Sequence, residues 1–144
     1  MLDRGQIACL LPHAGSMILL DAIESWDVTG IRCRTESHLR ADNPLRRDGR
    51  LAAIVGVEYG MQAAAAHGAL TAGNAPPAVG LLAGLRAVSL SGERLDDAGF
   101  GCLRITATLE HAEKHGAVYG FTIAADDGRL LVTGRGTIAR VGAP

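Results

Sequence analysis

The sequence is poor in aromatic residues and has no excess of positive charge. Among its 144 residues there are only one Trp, two Tyr and two Phe, and 14 Lys and Arg stand against 15 Asp and Glu, for a formal net charge of -1 at pH 7. Nucleic-acid binding normally draws on a basic surface and on aromatic rings that stack on bases. The composition therefore argues against a nucleic-acid partner.

Cysteines are also few, and no apolar run is long enough to span a membrane. Cys9, Cys33 and Cys102 are far apart and form no Cys-x-x-Cys pair, which argues against a disulfide framework and a zinc site. The longest apolar stretch is interrupted by Glu58 and Gln62, and the first residues lack a secretory signal. Since no motif points to a cofactor or a metal, we expect a soluble cytoplasmic protein that uses neither.

The pattern of apolar residues predicts strands on both sides of one long apolar segment. The length suits a single domain, 1–144. Alternation predicts two strands joined by a hairpin at Asp27–Gly30, then four strands in a meander with a hairpin at Asp126–Gly128. Gly134 and Gly136 in the last strand indicate a bulge or a close backbone approach. The strand segments are "MILLDAIESW", "IRCRTESH", "AVGLLAGLRAVSL", "CLRITATLEH" and "AVYGFTIAADDGRLLVTGRGTIARV".

The apolar segment between these strands, Leu51–Leu70, is too long and too rich in Ala and Met for a strand. It predicts a helix that is apolar on nearly every side. Such a helix must be enclosed, and a chain of this size can enclose it only by wrapping a sheet around it. The predicted fold is therefore α+β, a long antiparallel sheet of six strands wrapped around one buried central helix.

Glu58 is the one charge inside this helix. From Leu51 to Leu85 the chain contains no Asp, Lys or Arg and only this single Glu. Burial in an apolar helix favours the protonated form of a carboxyl, which is the form that can act as a general acid. The alternative is that Glu58 merely benefits from the positive end of the helix dipole and reaches water.

Three motifs, taken in their order and spacing, resemble one known family. They are the opening "LPHAGSMILLDAI", the helix "VGVEYGMQAAAAHG" with Gln four residues after Glu, and the strand and turn "GLLAGLRAVSLSGERLDD". Together they are similar to the hotdog-fold 3-hydroxyacyl-[acyl-carrier-protein] dehydratases. The chain most resembles the branch found beside aryl-polyene gene sets, in which "NP" and a charged loop precede the helix.

The resemblance implies a hotdog fold and an acyl thioester on an acyl carrier protein as substrate. It places the protein in fatty-acid or polyene-type lipid biosynthesis. We also expect a homodimer, or a heterodimer with a related hotdog subunit, because an antiparallel sheet this small leaves open edges that must be covered or paired.

Dehydration of a 3-hydroxyacyl thioester requires an acid, a base and polarisation of the thioester carbonyl. Glu58 matches the catalytic carboxylate of the family. Backbone N–H groups at the helix start, those of Ala52, Ala53 and Ile54, are candidates to polarise the carbonyl, although the family usually has Pro-Gly at the first two positions. Gln62, one helical turn after Glu58, is expected to orient the carboxyl.

The base is where the sequence departs from the family. The family's catalytic histidine lies fourteen residues before the helix carboxylate, which falls here on Pro44, or on Asn43 if the loop is one residue longer. Neither residue takes up a proton at neutral pH. His38, the histidine nearest to this loop, is the first candidate for a replacement base, and Asn43 is the candidate that would complete the site in the histidine's place.

A small basic loop, formed by Arg46, Arg47 and Arg50, precedes the helix. Carrier proteins are acidic, so this loop is a candidate docking site for one, and a merely solvated loop is equally consistent. Three functions remain open from the sequence: a dehydratase, a non-catalytic hotdog partner of an active dehydratase, and a hotdog thioesterase whose helix carboxylate activates water. One architecture hosts all three.

Overall fold

The computed structural model describes residues 1–12, 15–73 and 79–141, so His13 and Ala14 of the opening motif lie outside the described residues. The elements are β1 (Leu2–Asp3), α1 (Arg4–Ala8), β2 (Ala22–Trp26), β3 (Gly30–Thr35), the central helix α2 (Gly56–Thr71), β4 (Val79–Leu90), β5 (Leu103–Glu113), β6 (Gly116–Ala124) and β7 (Leu130–Val141). Short 3-10 turns lie at Gly15–Met17, Ser37–Leu39, Ala53–Val55 and Ala98–Phe100. Within these described ranges, no helix is long and apolar enough to cross a membrane.

The strands form one antiparallel sheet in the order β1-β2-β3-β5-β6-β7-β4. Both predicted hairpins are confirmed, since the Asp27 N–H donates to the Gly30 carbonyl at 3.0 Å and the Gly128 N–H donates to the Ala125 carbonyl at 2.9 Å. Two details of the prediction are wrong. The short strand β1 adds a seventh strand, and β4 pairs with β7 rather than β5, so only β5, β6 and β7 form a meander. Periodicity identifies strands, but it does not say which neighbours they pair with.

The predicted helix is confirmed over Gly56–Thr71, but it begins later than expected. An extended lead-in at Leu51 and Ala52 and the 3-10 turn that begins at Ala53 precede α2, and both are hydrogen-bonded to the segment after β4. The Ala53 N–H donates to the Glu93 carbonyl at 3.0 Å, and the Leu95 N–H donates to the Leu51 carbonyl at 2.8 Å. These bonds fix where the first turn of α2 starts relative to the sheet.

Glycines bring the helix and the sheet into close contact. A Cβ on Gly60 of α2 would lie 2.6 Å from the Phe121 side chain, and a Cβ on Gly134 of β7 would lie 2.8 Å from the tip of the same ring. A Cβ on Gly136 would lie 2.5 Å from the sulfur of Met61. The close approach expected at Gly134 and Gly136 is therefore confirmed, and it lets the sheet curve tightly around α2.

The enclosure of α2 within the single chain is incomplete. Nine of its residues are buried, but Glu58, Ala65 and Ala69 are exposed. Spacings of seven and four residues put these three on one helix face. The predicted α+β fold, an antiparallel sheet wrapped around one central helix, is confirmed, and within the described chain the sheet leaves this one face of the helix uncovered.

Strand β4 forms one edge of the sheet and carries apolar side chains toward the helix side. Leu82 pairs with Ile138 and Leu85 pairs with Gly136, so one extra residue of β4 bulges between them. Because paired residues of antiparallel strands share a face, this bulge places both leucines on the side that faces α2. They remain 45% and 43% exposed, respectively.

Candidate active site

Glu58 lies in the first turn of α2, on the exposed face of the helix. Its side chain makes no hydrogen bond or ion pair with any residue that the structure describes. The expected burial of Glu58 is therefore wrong for the single chain. The physical reason is the direction of the side chain, which points away from β5 and β6, the strands that cover the other face of α2.

The backbone donors at the helix start are fewer than the sequence suggests. Ala53 is buried and donates its N–H to the Glu93 carbonyl, and the Val55 N–H donates to the Ala52 carbonyl at 3.0 Å. In the part of the chain described, the N–H groups of Ala52 and Ile54 make no backbone hydrogen bond. Ile54 is 51% exposed and lies four residues before Glu58. The exposed carboxylate of Glu58 therefore follows, four residues later, a backbone N–H that makes no backbone hydrogen bond within the described residues.

Gln62 does not orient Glu58. Its side-chain oxygen accepts from the N–H groups of Leu19, at 2.7 Å, and Leu20, at 3.3 Å, and its side-chain nitrogen donates to the Met17 carbonyl at 2.9 Å. The residue is 5% exposed. Its amide therefore holds the segment before β2 against the helix, and the hydrogen bond expected between Gln62 and Glu58 is not made.

Both polar atoms of the Asn43 side chain are likewise hydrogen-bonded within the chain. Its side-chain nitrogen donates to the Ser37 carbonyl at 3.0 Å and to the Tyr59 hydroxyl at 3.1 Å, while its side-chain oxygen accepts from the Leu45 N–H at 2.9 Å. It is 6% exposed. An amide buried and bonded in this way braces the loop against α2, and it is not free to complete a catalytic site as the sequence suggested.

Tyr59 and Ser37, which no sequence motif indicated, connect this brace to the segment before β2. The Tyr59 hydroxyl is 2.8 Å from the Ser37 hydroxyl, and Ser37 donates to the Leu19 carbonyl at 2.6 Å. Burial raises the pKa of Tyr59, so its hydroxyl keeps its proton. A tyrosine in an otherwise apolar helix was the available signal, because a buried tyrosine hydroxyl needs a partner.

His38 is completely buried, and neither of its ring nitrogens has a hydrogen-bond partner among the described residues. Burial lowers its pKa because the charged ring is disfavoured away from water. The Gly101 backbone and the carboxylates of Glu36, Asp21 and Asp96 oppose that shift more weakly. A neutral imidazole accepts a proton only if the substrate reaches it. The structure encloses this ring in protein, so His38 is not placed to act as the base within this chain.

The basic loop contains one structural arginine and two exposed ones. Arg46 donates to the Arg40 carbonyl at 2.7 Å and pairs with Asp96 at 3.2 Å. Asp96 also pairs with Arg94 at 2.7 Å, and this guanidinium holds the pKa of Asp96 well below its usual range, against the opposing effect of burial. Arg46 is therefore part of an ion-pair cluster around the Asp96 carboxylate that joins two loops, and its guanidinium is turned toward its own chain.

Arg47 and Arg50 flank a tight turn at Asp48 and Gly49. Both turn residues have positive φ, 54° and 72°, and the backbones of Arg47 and Arg50 exchange two hydrogen bonds. Arg47 donates to two neighbouring carbonyls, and the Arg50 side chain has no partner in the described ranges. Both side chains are exposed at the surface just before the helix lead-in.

Comparison with known proteins places the chain in a family. The family described as ApeP-like, ApeP dehydratase, matches residues 5–141. The chain belongs to the ApeP-like dehydratase family. A match over almost the whole chain confirms the resemblance to hotdog dehydratases of the aryl-polyene type and supports a dehydratase-like role. No curated protein is significantly similar to the chain.

Solved structures show the same hotdog fold as this ApeP-like chain. The dehydratase heterocomplex ApeI:P from Xenorhabdus doucetiae is similar with a TM-score of 0.80 and 23% identity, over 93% of this chain and 90% of that one. A mutant thioesterase PA1618 from Pseudomonas aeruginosa has a TM-score of 0.63 and 18% identity, over 98% and 95%. The E. coli PaaI protein from the phenylacetic acid degradation operon is similar with a TM-score of 0.57 and 14% identity, over 82% of this chain and 81% of that one.

Proposed function

We propose that this ApeP-like chain is a subunit of a dehydratase that acts on 3-hydroxyacyl thioesters carried by an acyl carrier protein. The observation that carries the proposal is that Glu58 is exposed without a side-chain partner at the start of α2, and that the Ile54 N–H, four residues earlier, makes no backbone hydrogen bond in the described chain. These two groups meet two of the three demands of the reaction, an acid and a donor to the thioester carbonyl.

The proposed chemistry is an elimination. A base removes the proton α to the thioester carbonyl, and the Ile54 N–H stabilises the negative charge that develops on the carbonyl oxygen. The double bond forms as the 3-hydroxyl departs, and protonated Glu58 gives its proton to the leaving oxygen, which leaves as water. The Glu58 carboxylate then takes up a proton before the next cycle.

The base is the component that this chain does not supply in its own structure. Asn43 is bonded on every side, Pro44 has no titratable group, and His38 is enclosed. In a homodimer, the neighbouring loop would offer the same residues. A related hotdog subunit that carries a histidine in its loop would supply the missing base.

Two further observations support such an assembly. The exposed face of α2 and the open edge strand β4 adjoin on one side of the chain, and both leave apolar groups uncovered. The relative from Xenorhabdus doucetiae is described as a heterocomplex. A second hotdog subunit seated here would cover α2 and desolvate Glu58, which would favour the protonated carboxyl that the chemistry requires.

The carrier protein is proposed to approach from the loop that contains Arg47 and Arg50. Their exposed guanidinium groups offer positive charge to an acidic surface beside the lead-in to Glu58. Arg46 is left out of this surface because it is committed to Asp96. The pathway is proposed to be polyene-type lipid synthesis in the cytoplasm.

The test compares two reactions of one substrate. Full-length protein is incubated with a 3-hydroxyacyl pantetheine thioester, and the enoyl product is followed by ultraviolet absorbance while released thiol is titrated. Slow enoyl formation that Glu58→Gln abolishes supports the proposal, with Glu36→Gln, another exposed glutamate, as the matched control. Thiol release without enoyl product would identify a thioesterase instead, and neither product would identify a non-catalytic partner subunit.

A further inference from the structure

Met61 is the first large side chain after Glu58 on the exposed side of α2. It lies three residues after the carboxylate and four before Ala65, so all three share one face of the helix. The side chain is half-buried and is laid against β7, where its sulfur comes within 2.5 Å, and its terminal methyl within 2.8 Å, of the place that a Gly136 Cβ would occupy. Gly136 is therefore the reason that Met61 can lie against the sheet.

Apolar residues of β4 lie around the same position on the sheet as Met61. Leu82 lies 3.5 Å from the same Gly136 Cβ position, and Leu85 is the strand partner of Gly136. The bulge between these leucines turns both toward α2, and each remains more than two-fifths exposed. Met61, Leu82 and Leu85 thus form one partly exposed apolar strip around Gly136, on the side of the sheet that faces α2.

Charge gives this strip a direction. Arg47 and Arg50 lie in the loop that precedes the helix, whereas after Glu58 the exposed face continues as Met61, Ala65 and Ala69 without a charged residue. A thioester whose reacting carbons sit at Glu58 would keep its phosphate-bearing arm toward the arginines. Its hydrocarbon end would then pass over Met61, because that is the apolar direction.

We infer that Met61 sets the length of acyl chain that the site accepts, and that Gly136 keeps it out of the way. The inference rests on the proposed function. With Met61 lying on the Gly136 backbone, the strip is open beyond Glu58 and admits long chains. A side chain at position 136 would push the flexible thioether off the strand and into the path of the acyl chain, and the site would then prefer short chains.

The test is a pair of substitutions read out by chain length. Gly136→Ala should lower kcat/KM for 3-hydroxytetradecanoyl pantetheine about tenfold relative to 3-hydroxybutyryl pantetheine, and adding Met61→Ala should restore the ratio. The clash is with the far end of a flexible side chain, so the backbone can stay in place and the variant should fold. Gly84→Ala is the matched control, since a Cβ there meets nothing within 4 Å.

Two outcomes would overturn the inference: an equal loss for short and long substrates, or a length shift that Met61→Ala does not reverse. If the wild-type protein alone turns over no thioester, catalysis by this chain without a partner is ruled out, and the inference is then tested separately by binding. For that purpose the affinities of non-reactive acyl-pantetheine amides of the same lengths are measured by calorimetry. The same reversible length ratio in Kd would support the role of Met61, and its absence would overturn it.

Discussion

The two sides of helix α2 differ in how completely their polar side chains are hydrogen-bonded. On one side Tyr59 and Gln62 are buried, and their polar atoms are hydrogen-bonded to Ser37, Asn43 and the segment before β2. On the other side Glu58 is exposed and has no partner within the described chain. The first side holds the fold together, whereas the second is available to a ligand and a second subunit. Stability and activity should therefore depend on different residues of the same helix.

The largest expected effect on stability comes from removing the buried hydrogen bonds of Gln62. Gln62→Leu would leave the buried N–H groups of Leu19 and Leu20 and the Met17 carbonyl without partners, and should lower the free energy of unfolding by about 3 kcal/mol. Glu58→Gln, the matched change on the open side, should alter it by less than about 0.5 kcal/mol. Urea denaturation measures both, and equal losses would contradict the comparison.

Alanine substitutions at two glycines of α2 should have smaller effects on stability, and the two effects should be opposite in sign. Gly60→Ala would place a Cβ 2.6 Å from Phe121 and should cost about 2 kcal/mol through overpacking. Gly68→Ala, where a Cβ meets nothing within 4 Å, should stabilise the isolated chain by up to about 1 kcal/mol through helix propensity. Thermal unfolding of dilute protein distinguishes them. Destabilisation by Gly68→Ala would show that this side of the helix is not open.

The smallest effect concerns pH and the enclosed ring of His38. Its pKa in the folded protein is lowered by burial, whereas in the unfolded chain it is about 6.5, so the unfolded state takes up the proton first as pH falls. The stability contributed by neutral His38 is thus complete above about pH 6.5 and is lost as pH falls from there toward the folded pKa.

Removing the His38 ring should remove this dependence of the free energy of unfolding on pH. Urea denaturation of His38→Phe between about pH 7.5 and 5 should show a flatter pH dependence than the wild type, whatever its absolute stability. Asp27 and Asp96, whose pKa values are lowered in the folded protein, affect stability only at more acidic pH and do not interfere. An unchanged slope would mean that His38 is not the titrating group.

Much of the fold could be predicted because its signals are local. Alternation gave the strands, the turn residues gave both hairpins, and the apolar run gave the central helix. The pairing of β4 with β7 could not be read from the sequence, since it depends on how the chain crosses the helix. The sequence indicated that Gly134 and Gly136 allow a close approach, but it did not indicate which side chains pack against them.

The candidate site was harder to predict, because a residue type does not reveal which way its side chain points. Gln62 and Glu58 are one helical turn apart, yet one faces the sheet and the other faces outward. Asn43 and Arg46 look like free polar groups in a loop, but they bond to Tyr59 and Asp96 across long sequence separations. Only the packing of the loop against α2 shows that these side chains stabilise the loop and are not free for catalysis.

The structure indicates which substitution best introduces a base. Asn43→His, which keeps Pro44 in the loop, would remove an amide that is bonded to Ser37, Tyr59 and Leu45. Pro44 is partly exposed and carries no side-chain hydrogen bond, so Pro44→His disturbs fewer contacts despite the looser backbone. It is therefore the better position for an imidazole.

The central claim is that this chain carries an acid but no base, and the most direct measurement is the dehydration rate of the pure protein. Base catalysis contributes about a hundredfold to ten-thousandfold, so kcat should lie at least about a hundredfold below the usual range of about 1 to 1,000 per second. Pro44→His should raise it, and adding Glu58→Gln should cancel the gain. A wild-type kcat within that usual range, with no second subunit present, would contradict the claim.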